Sequence, residues 1–67
     1  MTNKEIINNQ LRRINAMLNA NIELVQNGAK FTLAKTPFPM TFASRTSSQM
    51  IEYLCGVEDT VEYLINR

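Results

Sequence analysis

Two stretches of this chain repeat their apolar residues at helical spacing. Ile7, Leu11, Ile14, Leu18, Ile22 and Val25 follow one another at steps of four, three, four, four and three. Met50, Leu54, Val57, Val61 and Leu64 follow at four, three, four and three. Such spacing collects side chains on one face of a 3.6-residue helix. Thr2 with Glu5, and Thr46 with Gln49, have the three-residue spacing of a capping box at the start of each stretch. Asn27-Gly28 offers the first stretch a stop, because glycine accepts the left-handed backbone at a helix C-terminus. The pattern therefore predicts one helix over about 3–27, roughly 37 Å long at ~1.5 Å per residue, and a second over about 47–66. Gly56 interrupts the second helix at a cost of about 1 kcal/mol relative to alanine. The apolar seam passes through it without a phase slip, so one helix with room for a kink is expected. Two shorter helices broken at Gly56 are the alternative.

Residues 29–45 lose the helical period. Phe31, Leu33 and Lys35 alternate with polar or small residues, as do Phe38, Met40 and Phe42, which favours extended chain. Pro37 and Pro39 push Thr36 and Phe38 out of the helical region. A short β-hairpin is expected, about 30–34 pairing with 39–43 around Thr36-Pro37-Phe38. The alternative is an irregular extended crossover. In either form its phenylalanines cap the core between the helices, since aromatic burial dominates small cores. The fold class is thus mainly α: one small domain, 1–67, built as an antiparallel two-helix hairpin with an extended or β-hairpin connector.

Each helix carries apolar surface beyond its main seam. On the first, Ile6, Met17 and Leu24 form a second stripe; on the second, Tyr53, Gly56, Thr60 and Tyr63 form a shelf. Glycine and threonine four apart let another backbone approach, and the flanking tyrosines supply large amphipathic contact area. These seven residues are the expected interface with another subunit or partner; the alternative is a shelf covered by the chain's own connector. The first helix is also rich in asparagine, a mediocre helix former whose amide competes for backbone hydrogen bonds. Asn21 falls near the seam and is expected to reach solvent rather than to set register.

Composition narrows the chemistry. A chain of 67 residues buries only about 60% of its unfolded surface and usually needs a staple or self-association. Cys55 is the only cysteine and there is no histidine, so neither an internal disulfide nor a Cys–His nucleophile is available, and no zinc set is present. No spacing of Ser, Asp and Glu suggests a general-base arrangement. No catalytic residue, metal ligand or cofactor is expected. Self-association is the expected remedy for the small core. The N-terminus lacks the apolar run of a signal peptide and no segment approaches the ~20 apolar residues of a membrane span. With an unpaired cysteine, this reads as a cytoplasmic chain without a membrane partner.

Charge is uneven along the chain. Residues 1–45 carry Lys4, Arg12, Arg13, Lys30, Lys35 and Arg45 against Glu5 and Glu23, a net +4. Residues 46–67 carry Arg67 against Glu52, Glu58, Asp59 and Glu62, a net −3. A basic half folding on an acidic half explains this, with Arg12-Arg13 pairing Glu58 or Glu62. The acidic second half disfavours nucleic acid. The start of the second helix, Arg45 with Thr46, Ser47 and Ser48, is the one place where an anion is welcome: outward N–H groups carry partial positive charge, and arginine offers a planar fork for phosphate oxygens. Capping alone also explains those hydroxyls.

Spare apolar surface without catalytic chemistry points to a small regulatory or inhibitory protein. It would act as a homo-oligomer, by contact with a larger protein. Its size and plainness suit a phage or other mobile element, although no motif carries that. The alternative is capture of a phosphate-bearing ligand such as a nucleotide at Arg45–Ser48.

Overall fold

The computed structural model describes residues 1–36 and 44–66. The first helix, α1, spans Asn3–Leu18. Thr2 caps it: its hydroxyl accepts from the Glu5 N–H at 3.2 Å, and the Glu5 carboxylate accepts in return from the Thr2 N–H at 3.4 Å. The second helix, α2, spans Ser47–Ile65 and starts in the same way. There the Thr46 hydroxyl accepts from the Gln49 N–H at 3.2 Å, and the Gln49 side chain accepts from the Thr46 N–H at 3.0 Å. Both expected capping boxes are present, and α2 runs through Gly56 as one helix.

The first helix ends nine residues earlier than its apolar spacing predicts. Asn19 takes the left-handed conformation at φ 52°, which asparagine tolerates better than most residues. Asn15 then clasps the chain as it turns back. Its side-chain oxygen accepts from the Ile22 N–H at 2.8 Å, and its amide donates to the Ile22 carbonyl at 3.1 Å. Beyond the turn, Glu23–Asn27 is not helix but a strand, β1.

It pairs antiparallel with β2, Lys30–Ala34, in the register Leu24 to Leu33 and Gln26 to Phe31. Gly28, at φ +66°, opens the two-residue Gly28-Ala29 loop. Glycine at the first central position is what a type II′ hairpin turn prefers. Gly28 thus turns a hairpin instead of stopping a helix. The strand expected at 30–34 forms and pairs with 23–27; its expected partner 39–43, with Phe38, Met40 and Phe42, lies outside the described residues. Phe31 and Leu33 bury their side chains as the alternation predicts, whereas Val25 on the opposite face stays 43% exposed.

The orientation of the helices also differs from expectation. Asn3 donates to the Ser47 hydroxyl, Gln10 to the Ile51 carbonyl, and Arg13 to the Glu58 carboxylate. Residue numbers rise together along both helices, so α1 and α2 are parallel, not antiparallel. The shortened α1 is the reason. It releases residues for β1, which returns along α1 until Lys4 reaches the Gln26 side chain at 3.1 Å. β2 reverses again, and by Arg45 the chain runs antiparallel to β2 through paired backbone bonds with Phe31 of 2.7 and 2.9 Å. The next reversal starts α2 level with the start of α1.

The core lies between the helices and the inner face of the hairpin. Ile7, Leu11 and Ile14 of α1 meet Met50 and Leu54 of α2, with Ile22, Phe31 and Leu33 closing the third side. Gln10 sits among them, only 2% exposed. Its amide donates to the Ile51 carbonyl at 3.1 Å and to the Cys55 sulfur at 3.4 Å, while its own oxygen has no partner among the described residues. Asn21 is exposed, as expected.

Candidate functional site

Parallel helices that start level cannot end level when one is shorter. The contacts pair α1 residues with α2 residues about 44 positions later, so Leu18 at the end of α1 stands near residue 62. The last turn of α2 overhangs. Leu64, expected in the seam between the helices, is therefore 55% exposed, and Tyr63 and Ile65 are exposed with it. Among the described residues, no second helix reaches them.

An open apolar groove of about 650 Å³ runs along α2 into this overhang. Tyr53, Gly56 and Thr60 of the expected shelf line it. Val57, Val61 and Leu64, which spacing assigns to the seam with α1, line it as well, and Leu18 supplies the wall on the α1 side. Among the described residues, Glu52 is the one acidic or basic side chain of the lining. A surface this apolar has little chemistry to offer a reaction; its capacity is to cover another apolar surface.

The other expected interface residues are placed elsewhere. Met17 and Leu24 are half-buried and pack against the chain's own core, Leu24 from the inner face of β1. Ile6 is half-buried on α1 and does not line the groove. Tyr63 stands beside the groove, 71% exposed. The structure thus keeps the Tyr53, Gly56, Thr60 shelf, separates the α1 stripe from it, and adds the C-terminal part of the seam. The sequence held one signal for this shift: Asn27-Gly28 is also a hairpin dipeptide. A hairpin there shortens α1 and strips the end of α2 of its cover.

Gly56 has a particular place in the groove. Among the described residues, a side chain built on it meets no atom within 4 Å. Nothing in those residues calls for glycine at this mid-helix position, where alanine is about 1 kcal/mol more favourable.

At the other end of α2, the expected anion-binding residues are engaged in structure. Thr46 caps the helix, and Ser47 receives the bond from the Asn3 amide at 3.0 Å. The Arg45 guanidinium lies over the Tyr53 ring, 4.0 Å from its centroid, a cation–π arrangement. Ser48 is exposed in the first turn. Parallel packing brings the positive ends of both helices to this end of the molecule, and the Glu5 carboxylate in the first turn of α1 answers part of that field.

Among the ionic contacts of the described residues, the expected pairing of the basic patch is met by Arg13 alone, across parallel helices. The Arg13 guanidinium holds Glu58 through two nitrogens, Nη2 reaching Oε2 at 3.2 Å. That hydrogen bond raises the Arg13 pKa above its ordinary value; desolvation opposes it, and the nearby Glu58 charge adds to the rise. Lys35 pairs with Glu23 at 2.9 Å across the open end of the hairpin. Among the described residues, no helix is long and apolar enough to cross a membrane.

Comparison with protein-family models, curated proteins and solved structures returns no match.

Proposed function

We propose that this chain is a small non-enzymatic regulatory or inhibitory protein, acting in the cytoplasm as a homo-oligomer by contact with a larger protein. The α2 groove is its contact surface. The observation that carries this reading is the groove itself: about 650 Å³ of open, largely apolar lining on a chain of 67 residues. Contiguous apolar surface on a small chain marks a place that another polypeptide covers.

The test is capture from host lysate with immobilised wild-type protein and with Gly56→Arg. Arginine is a better helix former than glycine, and its side chain projects into the groove. A partner held by wild type and lost by the variant supports the reading. Equal capture by both, or capture by neither, counts against the groove as the contact surface.

Capture of a phosphate-bearing ligand at Arg45–Ser48 has less in its favour, because Thr46, Ser47 and Arg45 already have partners within the chain. It predicts that a nucleotide or inorganic phosphate raises the melting temperature and that Arg45→Ala removes the rise. The groove reading predicts no rise for either protein.

A further inference from the structure

Resting on the groove as a contact surface, we infer that its occupant is α2 of a second copy of this chain, lying antiparallel about a two-fold axis between Val57 and Thr60. Four observations converge on this. First, the groove is a helix seam in its own right. Tyr53, Val57, Thr60 and Leu64 line it at steps of four, three and four, the spacing by which one helix packs along another in a coiled coil.

Second, the surface is self-complementary. A two-fold axis at that point sets Tyr53 of one copy level with Leu64 of the other, and Val57 level with Thr60. Tyr63 of one copy is then about two residues, ~3 Å, from the level of Gly56 in the other. Helical side chains lean toward their own N-terminus, which aims the Tyr63 ring at that glycine. Tyr63 is 71% exposed and Gly56 has open space where a side chain would stand. Each supplies what the other lacks, twice over in a symmetric pair.

Third, charge permits it. No lysine or arginine lies within Ser47–Ile65, and the Arg45 guanidinium over the Tyr53 ring is a cation at one end of the seam. An acidic helix must therefore keep its carboxylates off the rest of it. At ~100° per residue, Glu58, Asp59 and Glu62 lie more than a third of a turn from the seam's centre. Glu52 lies nearer, and the antiparallel arrangement sets it level with Ile65 of the second copy instead of with its own counterpart.

Fourth, the chain has reason to pair. Its buried apolar core is nine side chains among the described residues, with no disulfide to support it. Chains of this size commonly gain stability by association.

Two helices of ~28 Å make an interface at the small end of the specific range, below about 1,200 Å² in total. The pairing is therefore weak and concentration-dependent. The homo-oligomer is thus the form that meets a larger protein, and a protein that enters the groove exchanges with the second copy.

Sedimentation equilibrium of the full chain, from a few micromolar to several hundred micromolar, tests this. The expected result is a mass rising from 7.7 kDa toward twice that value and no further. Gly56→Arg is expected to weaken association at least about tenfold, and Tyr63→Ala by about tenfold, as for residues at the centre of an interface. Far-UV circular dichroism on dilute samples confirms that both variants keep their helices. A wild-type monomer at several hundred micromolar overturns the inference, and so does a dimer indifferent to both substitutions. If the protein is monomeric yet Gly56→Arg still abolishes lysate capture, self-pairing fails while the contact reading stands. If it is monomeric and captures nothing, both fail.

Discussion

Alanine at position 56 tests the account of α2 more sharply than any other single change. Gly56 is internal to a continuous helix, and a methyl group there meets nothing within 4 Å. The substitution therefore removes glycine's backbone-entropy cost without creating a clash. The expected gain is about 1 kcal/mol, which for a domain of this size raises the melting temperature by roughly 4–8 °C. The assay is thermal circular dichroism on samples of a few micromolar, with urea denaturation as a second measure. The midpoint should rise and the denaturant slope should not change, because no surface burial changes. Repeating the melts at several hundred micromolar adds a second reading. Association stabilises the wild-type chain by mass action, and a methyl group under the Tyr63 ring of a second copy weakens that association. The advantage of Gly56→Ala should therefore shrink as concentration rises. If the variant is no more stable than wild type in dilute solution, then the helix does not run unbroken through residue 56 or the space around it is not open. Either result refutes the reasoning.

Three further outcomes follow from the fold. Asn15→Ala removes both side-chain bonds to Ile22, of 2.8 and 3.1 Å, and should cost about 1–2 kcal/mol; hydrogen exchange should show the Ile22 amide losing protection, and unchanged protection would mean the turn is held by other contacts. Gln10→Leu replaces a buried amide whose oxygen has no partner with an apolar side chain of similar size, so urea denaturation should find it neutral or up to about 1 kcal/mol more stable; a loss above about 2 kcal/mol would show that the amide's bond to Ile51 outweighs that orphaned oxygen. The Arg13 pKa is raised in the folded state, so its contribution is fully present below the unfolded value and fades only as pH rises through the folded one; the stability difference between wild type and Arg13→Ala should therefore be flat from about pH 6 to 7, and a difference that changes within that window would contradict the assignment.

Local signals in the chain were reliable where one physical cause dominated. Thr2 with Glu5 and Thr46 with Gln49 start helices because the reciprocal bonds of a capping box are wholly local. The seam Met50, Leu54, Val61 buries because four- and three-residue steps leave a helix only one apolar face. The alternation of Phe31 and Leu33 places both inward on a strand for the same reason at period two. Part of the groove lining was legible too: Tyr53, Gly56 and Thr60 share a face whatever the helix packs against.

Residues 19–27 were ambiguous because the two periods agree there. Ile22 and Val25 continue the helical steps of α1, yet Glu23–Asn27 is equally a strand followed by Asn-Gly turn chemistry. A short apolar segment cannot be divided between helix and strand by periodicity alone. The decision was tertiary. Asn15 reaches Ile22, Lys4 reaches Gln26, and β2 supplies a pairing edge, so the backbone bonds of 23–27 are met in a hairpin. That choice reversed the relative direction of the helices, since it added a return strand between them.

Alone, then, the sequence determined two capped helices, one continuous through Gly56, an extended segment at 30–34, and a small core lacking covalent support. Only the tertiary structure decided that the helices are parallel, that α1 stops at Leu18, and that the end of α2 overhangs it. Those depend on how far apart in the chain the competing partners lie, and spacing along one segment carries no information about that. The overhang opens the groove, and so the proposed contact surface is a consequence of where the other helix ends.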